Sequence, residues 1–209
     1  MQVTVEVKDL KKGTLYLERV QDSALVTVDS IFLNREEAIV LQADLDHPEL
    51  FYILLDRNQT DDIDNRIPFF GQSGEVSIQT TLDDFVAKAE VSGSSTQEIY
   101  NAYLRVIRQF NNEELDLLAA YLHAQISQNT DSLTLIEQQT ASLSKRKILF
   151  TVNFAVNNAN SVVAPYLALS ELPTISKSLL DTIEASMSDD VANSRYGMLL
   201  TEYLSELEN

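Results

Sequence analysis

The 209-residue chain contains no cysteine. That excludes a disulfide, thiol catalysis and cysteine-based metal sites within it. It leaves the redox compartment open, because a cysteine-free chain survives oxidation anywhere. Histidine occurs only at His47 and His123. Neither belongs to an H-E-x-x-H motif or a triad signature. His47 precedes Pro48 in a polar turn, and His123 stands off the apolar stripe of its helix, so both read as surface residues. Five glycines leave little material for a phosphate-binding loop, and no such pattern occurs. No stretch is long and apolar enough to span a bilayer. No signal-peptide pattern follows Met1: the chain enters "QVTVEV", which reads as a strand.

Basic residues are scarce as well. Fifteen oppose 32 acidic ones, a formal net charge of -17. Both parts of the chain share the deficit, with 8 basic against 18 acidic residues over 1–92 (-10) and 7 against 14 over 93–209 (-7). Long-range repulsion excludes nucleic acid as the expected partner and disfavours an anionic membrane surface. The plainer role of such charge is solubility.

What is present is a change of rhythm. Val3, Val5 and Val7 alternate with polar residues, the period of a half-buried strand. "LKKGTLYLERV" suggests a turn at Gly13 before a second strand carrying Leu15 and Leu17. "SALVTVDSIFL", "EAIVLQADL", "LFYILLD", "RIPFFGQSGEVSIQTTL" and "DFVAKAEVSG" follow, rich in β-branched and aromatic residues and separated by polar turns. The short spacing predicts antiparallel pairing in a sandwich or open barrel, without the crossovers of a parallel sheet. After Gly93 the period becomes helical. Ser95-x-x-Glu98 has the form of a capping box. Ile99, Tyr103, Val106 and Phe110 share one helical face. Asn111 and Asn112 suggest a break and a cap for a second helix with Leu115, Leu118, Leu122 and Ile126. A third runs from about Asp131 through Leu135, Leu143 and Phe150 to about Val156, and "NNANS" ends it. Shorter helices follow, one with Pro165 in its first turn, where a missing N–H does least harm. The expected class is α+β: an antiparallel β module over residues 1–93, then a helical region over 94–209 packed beside it as one cooperative unit.

The motifs offer little chemistry. Asp61, Asp62 and Asp64 in "TDDIDN" are the densest carboxylate cluster, but they lack the glycine and distal glutamate of an EF-hand loop and read as a solvated hairpin tip. Asp83 and Asp84 read the same way. Lys145, Arg146 and Lys147 fan out around a helix, so they form no tight anion clamp. They read as a solvated face able to touch a partner's carboxylates or the chain's own acidic sheet. No catalytic residue, metal site or cofactor is expected.

Several segments in order, "KGTLYLERV", "ELFYILLD", "IPFFGQSGEVSI" and "AEVSGSSTQEIYNAYL", resemble a domain family of unknown function that precedes the thioredoxin-like domain of thiol–disulfide oxidoreductases in the Bacteroidetes cell envelope. The family's motifs fall on Gly13, Tyr16 and Leu17, on Phe69, Phe70, Gly74 and Val76, and on Val91, Gly93 and Ser94. The helical tail resembles the family's continuation. No C-x-x-C motif is present, so the resemblance transfers no redox activity to any residue here. It implies an envelope protein, periplasmic or tethered to the outer membrane by a lipid, with its signal segment removed. Three functions compete: a non-catalytic module binding a protein or peptide at a sheet edge or a sheet–helix groove; an accessory module acting with a separate thioredoxin-like protein; and a hydrolase built from scattered carboxylates, which would need a deep pocket with paired acids.

Overall fold

The computed structural model describes residues 1–21, 24–34, 38–56, 65–172 and 174–207. The chain divides into two compact units, Met1–Glu98 and Ile99–Asn209.

The first unit is a two-layer sandwich. One sheet has the order β4 (Ala38–Gln42), β1 (Gln2–Lys8), β7 (Glu75–Thr81), β8 (Glu90–Ser92). The other has the order β3 (Ala24–Asn34), β2 (Lys12–Gln21), β5 (Glu49–Asp56), β6 (Arg66–Gly71). The alternation of β1 buries Val3, Val5 and Val7. They share one core with Leu15 and Leu17 of β2, Phe51, Ile53 and Leu55 of β5, and Val76 and Ile78 of β7. Residues from both sheets therefore interdigitate, as sandwich layers must. Strand β5, central between β2 and β6, is buried on both faces except at Tyr52 and Asp56.

Three local expectations fail here. Gly13 is buried within β2, and the turn before it is made by Asp9, at φ 69°, a left-handed position that a short polar side chain tolerates. An added Cβ on Gly13 would lie 3.1 Å from Leu55 Cδ1, so close packing rather than a turn uses this glycine. The sheets also contain a parallel pair. β1 runs parallel to β7, with Val3 opposite Val76 and Val5 opposite Ile78, while every other pairing is antiparallel. The segment "DFVAKAEVSG" is mostly turn, and only Glu90–Ser92 pairs with β7.

The strand-to-helix junction is built by contacts across the sequence. Gly93 has φ +97°, and an added Cβ would sit 2.5 Å from the Glu75 carbonyl oxygen. The cap of the first helix, α1 (Ser95–Ile126), is Ser94 rather than Ser95: Gln97 N donates to Ser94 Oγ at 3.2 Å. Gln72 Oε1 accepts from Ser94 Oγ at 3.0 Å, from Thr96 N at 3.2 Å and from Thr96 Oγ1 at 3.0 Å. In return, Phe70 N donates to Gln97 Oε1 at 2.6 Å. The N–H groups exposed at the helix start are thus satisfied by Gln72 and by Ser94, while the Gln97 side chain accepts from the end of β6.

In the second unit, α1 continues without a break past Asn111 and Asn112, so the expected two helices are one. α2 (Thr130–Asn157) returns along it, followed by α3 (Val163–Glu171), α4 (Lys177–Ser186), α5 (Asp189–Ala192) and α6 (Arg195–Glu206). Asn129 caps α2, its Oδ1 accepting from Ser132 N at 3.0 Å. α3 is mostly apolar and central, with Val163, Ala164, Leu167 and Ala168 wholly buried, as expected of a helix without a polar face. Its core joins Val152 and Ala155 of α2, Leu180 and Ile183 of α4, and Leu200 and Leu204 of α6. An aromatic seam runs beside it: Tyr103 stacks on Phe150 at 5.9 Å, and Tyr166 meets Tyr100 and Tyr196 edge-on at 5.9 and 5.4 Å. Tyr103 Oη is bonded to Thr151 Oγ1 at 3.1 Å. Burial pushes the Tyr103 and Tyr166 phenols above their ordinary range.

Candidate binding surfaces

Among the described residues, the titratable groups that the sequence singles out are exposed or paired. Asp61, Asp62 and Asp64 lie outside the described residues. Asp83 and Asp84 occupy a turn, where Asp84 Oδ2 holds Lys88 Nζ at 2.5 Å in an exposed pair. That hydrogen bond raises the Lys88 pKa. His47 and His123 are both exposed, one in each unit. Among the described residues, no three His, Asp or Glu side chains converge on a point that could hold a metal. The most buried charges neutralise each other: Arg66 Nε donates to Glu18 Oε2 at 2.8 Å, with both side chains under one-tenth exposed. Such a pair is structural, since an unpartnered buried charge would be far costlier.

The basic run has partners that the sequence did not indicate. Arg146 Nη2 donates to Glu113 Oε1 at 2.6 Å. Lys147 Nζ donates to Asn111 Oδ1 at 2.9 Å and to Glu114 Oε2 at 3.3 Å. These two cations tie α2 to α1 of the same unit instead of reaching toward an acidic sheet, and Lys145 points elsewhere around the helix.

Two surfaces remain that expose apolar side chains in an organised way. The first is β3. It is eleven residues long and, among the described residues, an edge strand paired with β2 alone. Leu25, Val26, Ile31 and Phe32 are 38–62 % exposed, and Leu25 and Val26, being adjacent, lie on opposite faces of the ribbon. The register shifts between Leu17 and Glu18, so that Leu17 faces Asp29 while Glu18 faces Thr27, leaving Val28 as the extra residue of a bulge. Beyond the bulge, Asp29 Oδ2 accepts from Gln42 N at 2.9 Å, fixing that end of the strand. The stretch Ala24–Thr27 has no such tie among the described residues. The second surface is a groove of about 840 Å³ along the α1–α2 hairpin. Glu114, Leu115 and Leu118 of α1 and Glu137, Ala141 and Ser144 of α2 line it.

Residues 1–100 match the model of a family described as Domain of unknown function (DUF4369). The match covers the whole strand unit and ends just inside the helical unit. It establishes the resemblance to an unknown-function domain over those residues; the helices after residue 100 lie beyond it. No match was found among curated proteins or among solved structures.

Most of the motif positions that carry the resemblance are structural in this unit. Phe69 is wholly buried against Phe51 at 5.9 Å, Gly93 and Ser94 form the junction, and Gly13, Leu17 and Val76 are packed. They explain why the domain folds, and the exposed surface residues of β3 stand apart from them. The sequence places Leu25, Val26, Ile31 and Phe32 in a strand, and Leu115, Leu118, Leu122 and Ile126 on a separate helix. The exposed positions form a face by their period, but period alone does not say what covers a face.

Proposed function

We propose that the chain is a non-catalytic protein- or peptide-binding module of the cell envelope, and that β3 is the strand it offers. The observation that carries this reading is the edge itself. A long edge strand with exposed apolar residues on both faces is normally blunted, because its free N–H and C=O groups template pairing with another chain. Here the bulge and the Asp29 contact blunt only the far half of β3. An extended segment of a partner can add to Ala24–Thr27 by main-chain hydrogen bonds, with Leu25 and Val26 gripping alternate side chains. The charge of -10 over residues 1–92 favours a partner segment whose apolar alternation is flanked by Lys or Arg.

The resemblance to modules that precede thioredoxin-like domains in Bacteroidetes envelope oxidoreductases supports the location, with a signal segment and a lipid anchor as the route to it. It also makes a separate thioredoxin-like protein the second candidate partner, with the redox chemistry residing entirely in that partner. Fluorescence polarisation with a labelled Lys-flanked Val/Thr peptide tests the edge. The expected outcome is micromolar binding, lost when alternate peptide amides are N-methylated and lost in Val26→Pro. Binding that ignores both changes refutes strand addition. Fractionation of cells expressing the full gene tests the location, and a purely cytosolic product refutes it.

A further inference from the structure

The edge strand β3 is close to a palindrome about its bulge. Counting inward from both sides, Leu25 corresponds to Phe32, Val26 to Ile31 and Thr27 to Ser30. In a regular strand, residues an odd number of positions apart point to opposite faces, and such a pattern would have no consequence. The bulge changes that, because directly paired residues of neighbouring strands share a face. Leu25 lies opposite Val20 and Phe32 opposite Thr14, both on the side of β2 away from the buried Leu15 and Leu17. Thr27 and Ser30 lie opposite Glu18 and Tyr16, on that same side. Val26 and Ile31 lie opposite Arg19 and Leu15, on the other. The extra residue Val28 therefore brings the two halves of the palindrome into phase. All six of its members are exposed.

We propose that β3 pairs with β3 of a second copy, antiparallel and about a two-fold axis through the bulge, whenever no other segment occupies the edge. This rests on the reading of β3 as an offered edge and names a partner for it. A two-fold interface requires a patch that is its own complement: if residue i meets residue j, then j meets i. An axis perpendicular to the sheet keeps every side chain on its own face. It sets Leu25 against Phe32 of the second copy, Val26 against Ile31 and Thr27 against Ser30, each twice. Aromatic–aliphatic, β-branched and hydroxyl pairs are the kinds that stabilise facing strands. A straight strand cannot follow β3 past Val28, which is how the bulge blunts the far half. A second β3 can, because the same rotation brings its own bulge to the same level. Val28 and Asp29 then face Asp29 and Val28 of the copy as one step, and the alternation of hydrogen-bonded and open pairs continues on both sides.

The charge pattern agrees. Two chains of net charge -17 repel each other, so they meet at least cost where charge is sparse. Asp29 is the one charged residue among the eleven of β3. Its carboxylate accepts from Ser30 N at 2.8 Å and from Gln42 N at 2.9 Å, so it is held by its own chain. Residues 24–33 pair over about 30 Å, and two four-stranded sheets become one. The contact is narrow and carried mainly by main-chain hydrogen bonds, so the dimer is weak, on the order of 10–100 µM. A partner segment that takes residues 24–27 displaces the copy.

Sedimentation velocity on the full chain reads the outcome. The wild type is expected to show a concentration-dependent monomer–dimer equilibrium. Screening should tighten the dimer several-fold between about 0.05 M and about 0.5 M NaCl, the reverse of the response of a Lys-flanked peptide. Phe32→Glu should weaken the dimer by about tenfold or more, with the circular dichroism spectrum unchanged because Phe32 is 62 % exposed. It should leave peptide binding at residues 24–27 intact, because it lies in the far half. Leu25→Lys should weaken the homodimer as well. Mixed in equal amounts, Leu25→Lys and Phe32→Glu should form a heterodimer about threefold or more tighter than either variant alone, since Lys then faces Glu at one contact and the native pair returns at the other. Leu25→Lys mixed with Ile31→Glu should give no such gain, because those positions lie on opposite faces. A dimer that weakens with salt, one indifferent to Phe32→Glu, or a rescue that does not distinguish Phe32→Glu from Ile31→Glu overturns the proposal. A chain that binds the peptide yet stays monomeric to about 1 mM overturns it and leaves the edge reading standing; a chain that does neither overturns both.

Discussion

Replacing Gly93 by alanine should be markedly more damaging than replacing Gly74, although both have positive φ. Gly74 has φ +116° and open space around its would-be Cβ; Gly93 has φ +97° and the Glu75 carbonyl oxygen 2.5 Å from that position. The conformational penalty of a side chain at such φ is about 1–3 kcal/mol at either site. It is offset by about 0.4–1 kcal/mol from the narrower unfolded state of alanine. Gly74→Ala should therefore lose about 1 kcal/mol. At Gly93 the new methyl must also drive the backbone of β7 away by several tenths of an ångström, next to the Ser77–Ser92 pairing that ends the sheet. Overpacking of this kind adds about 1–3 kcal/mol, for a total near 3 kcal/mol. For a chain of this length, about 2–4 °C of melting temperature accompanies each kcal/mol. Gly74→Ala should thus melt a few degrees early, and Gly93→Ala close to 10 °C early. Urea titration followed by circular dichroism gives both free energies. If the two variants lose equal amounts, within about 0.5 kcal/mol, the Glu75 contact is not what requires a glycine at 93.

Other consequences are equally direct. Gln72→Ala removes the acceptor shared by Ser94 and Thr96 and should cost about 1–2 kcal/mol, the range of a lost helix cap; a neutral result in the same titration would show that water replaces it fully. The raised phenols of Tyr103 and Tyr166 mean that stability is fully present below pH 10, the ordinary tyrosine value, and falls as pH rises above it, because the unfolded chain ionises first. Urea midpoints measured from pH 8 to 11 should decline more steeply in the wild type than in Tyr103→Phe. Finally, α1 is one uninterrupted helix whose first turn belongs to the strand unit and whose remainder belongs to the helical unit. Strand- and helix-sensitive wavelengths should therefore melt together, and two separated transitions would contradict that.

Much of this architecture is legible locally and some is not, for identifiable reasons. Val3, Val5 and Val7 announce β1 because alternation is a property of the strand alone. Nothing local says that β1 will pair in parallel with β7, since its neighbour there, beginning at Glu75, is set by tertiary packing. The break suggested by Asn111 and Asn112 does not occur. Asparagine lowers helix propensity by only about 0.7 kcal/mol per residue, and the contacts of Phe110 with Phe150 and of Lys147 with Asn111 oppose it. The cap falls at Ser94, one position before the Ser95-x-x-Glu98 pattern, because the acceptor that organises it, Gln72, is distant in sequence. The surface candidates were hidden for the opposite reason. Leu25, Val26, Leu115 and Leu118 have the side chains of core residues, and only the fold reveals that nothing in their own unit covers them.

The parallel pairing of β1 with β7 also sets a clock. Within this unit β1 is synthesised before both of its partners, and one of them begins only at Glu75. At a translation rate of about 5–20 residues per second, the first strand waits on the order of 4–15 seconds for that partner to exist. Throughout that interval Val3, Val5 and Val7 cannot reach their final neighbours Val76 and Ile78, and the edge of β1 stands open to any strand nearby. The sandwich therefore cannot be assembled progressively behind the ribosome. It closes in a late event, once the chain has passed Thr81, and a factor that keeps the emerging chain extended until then would delay no productive step.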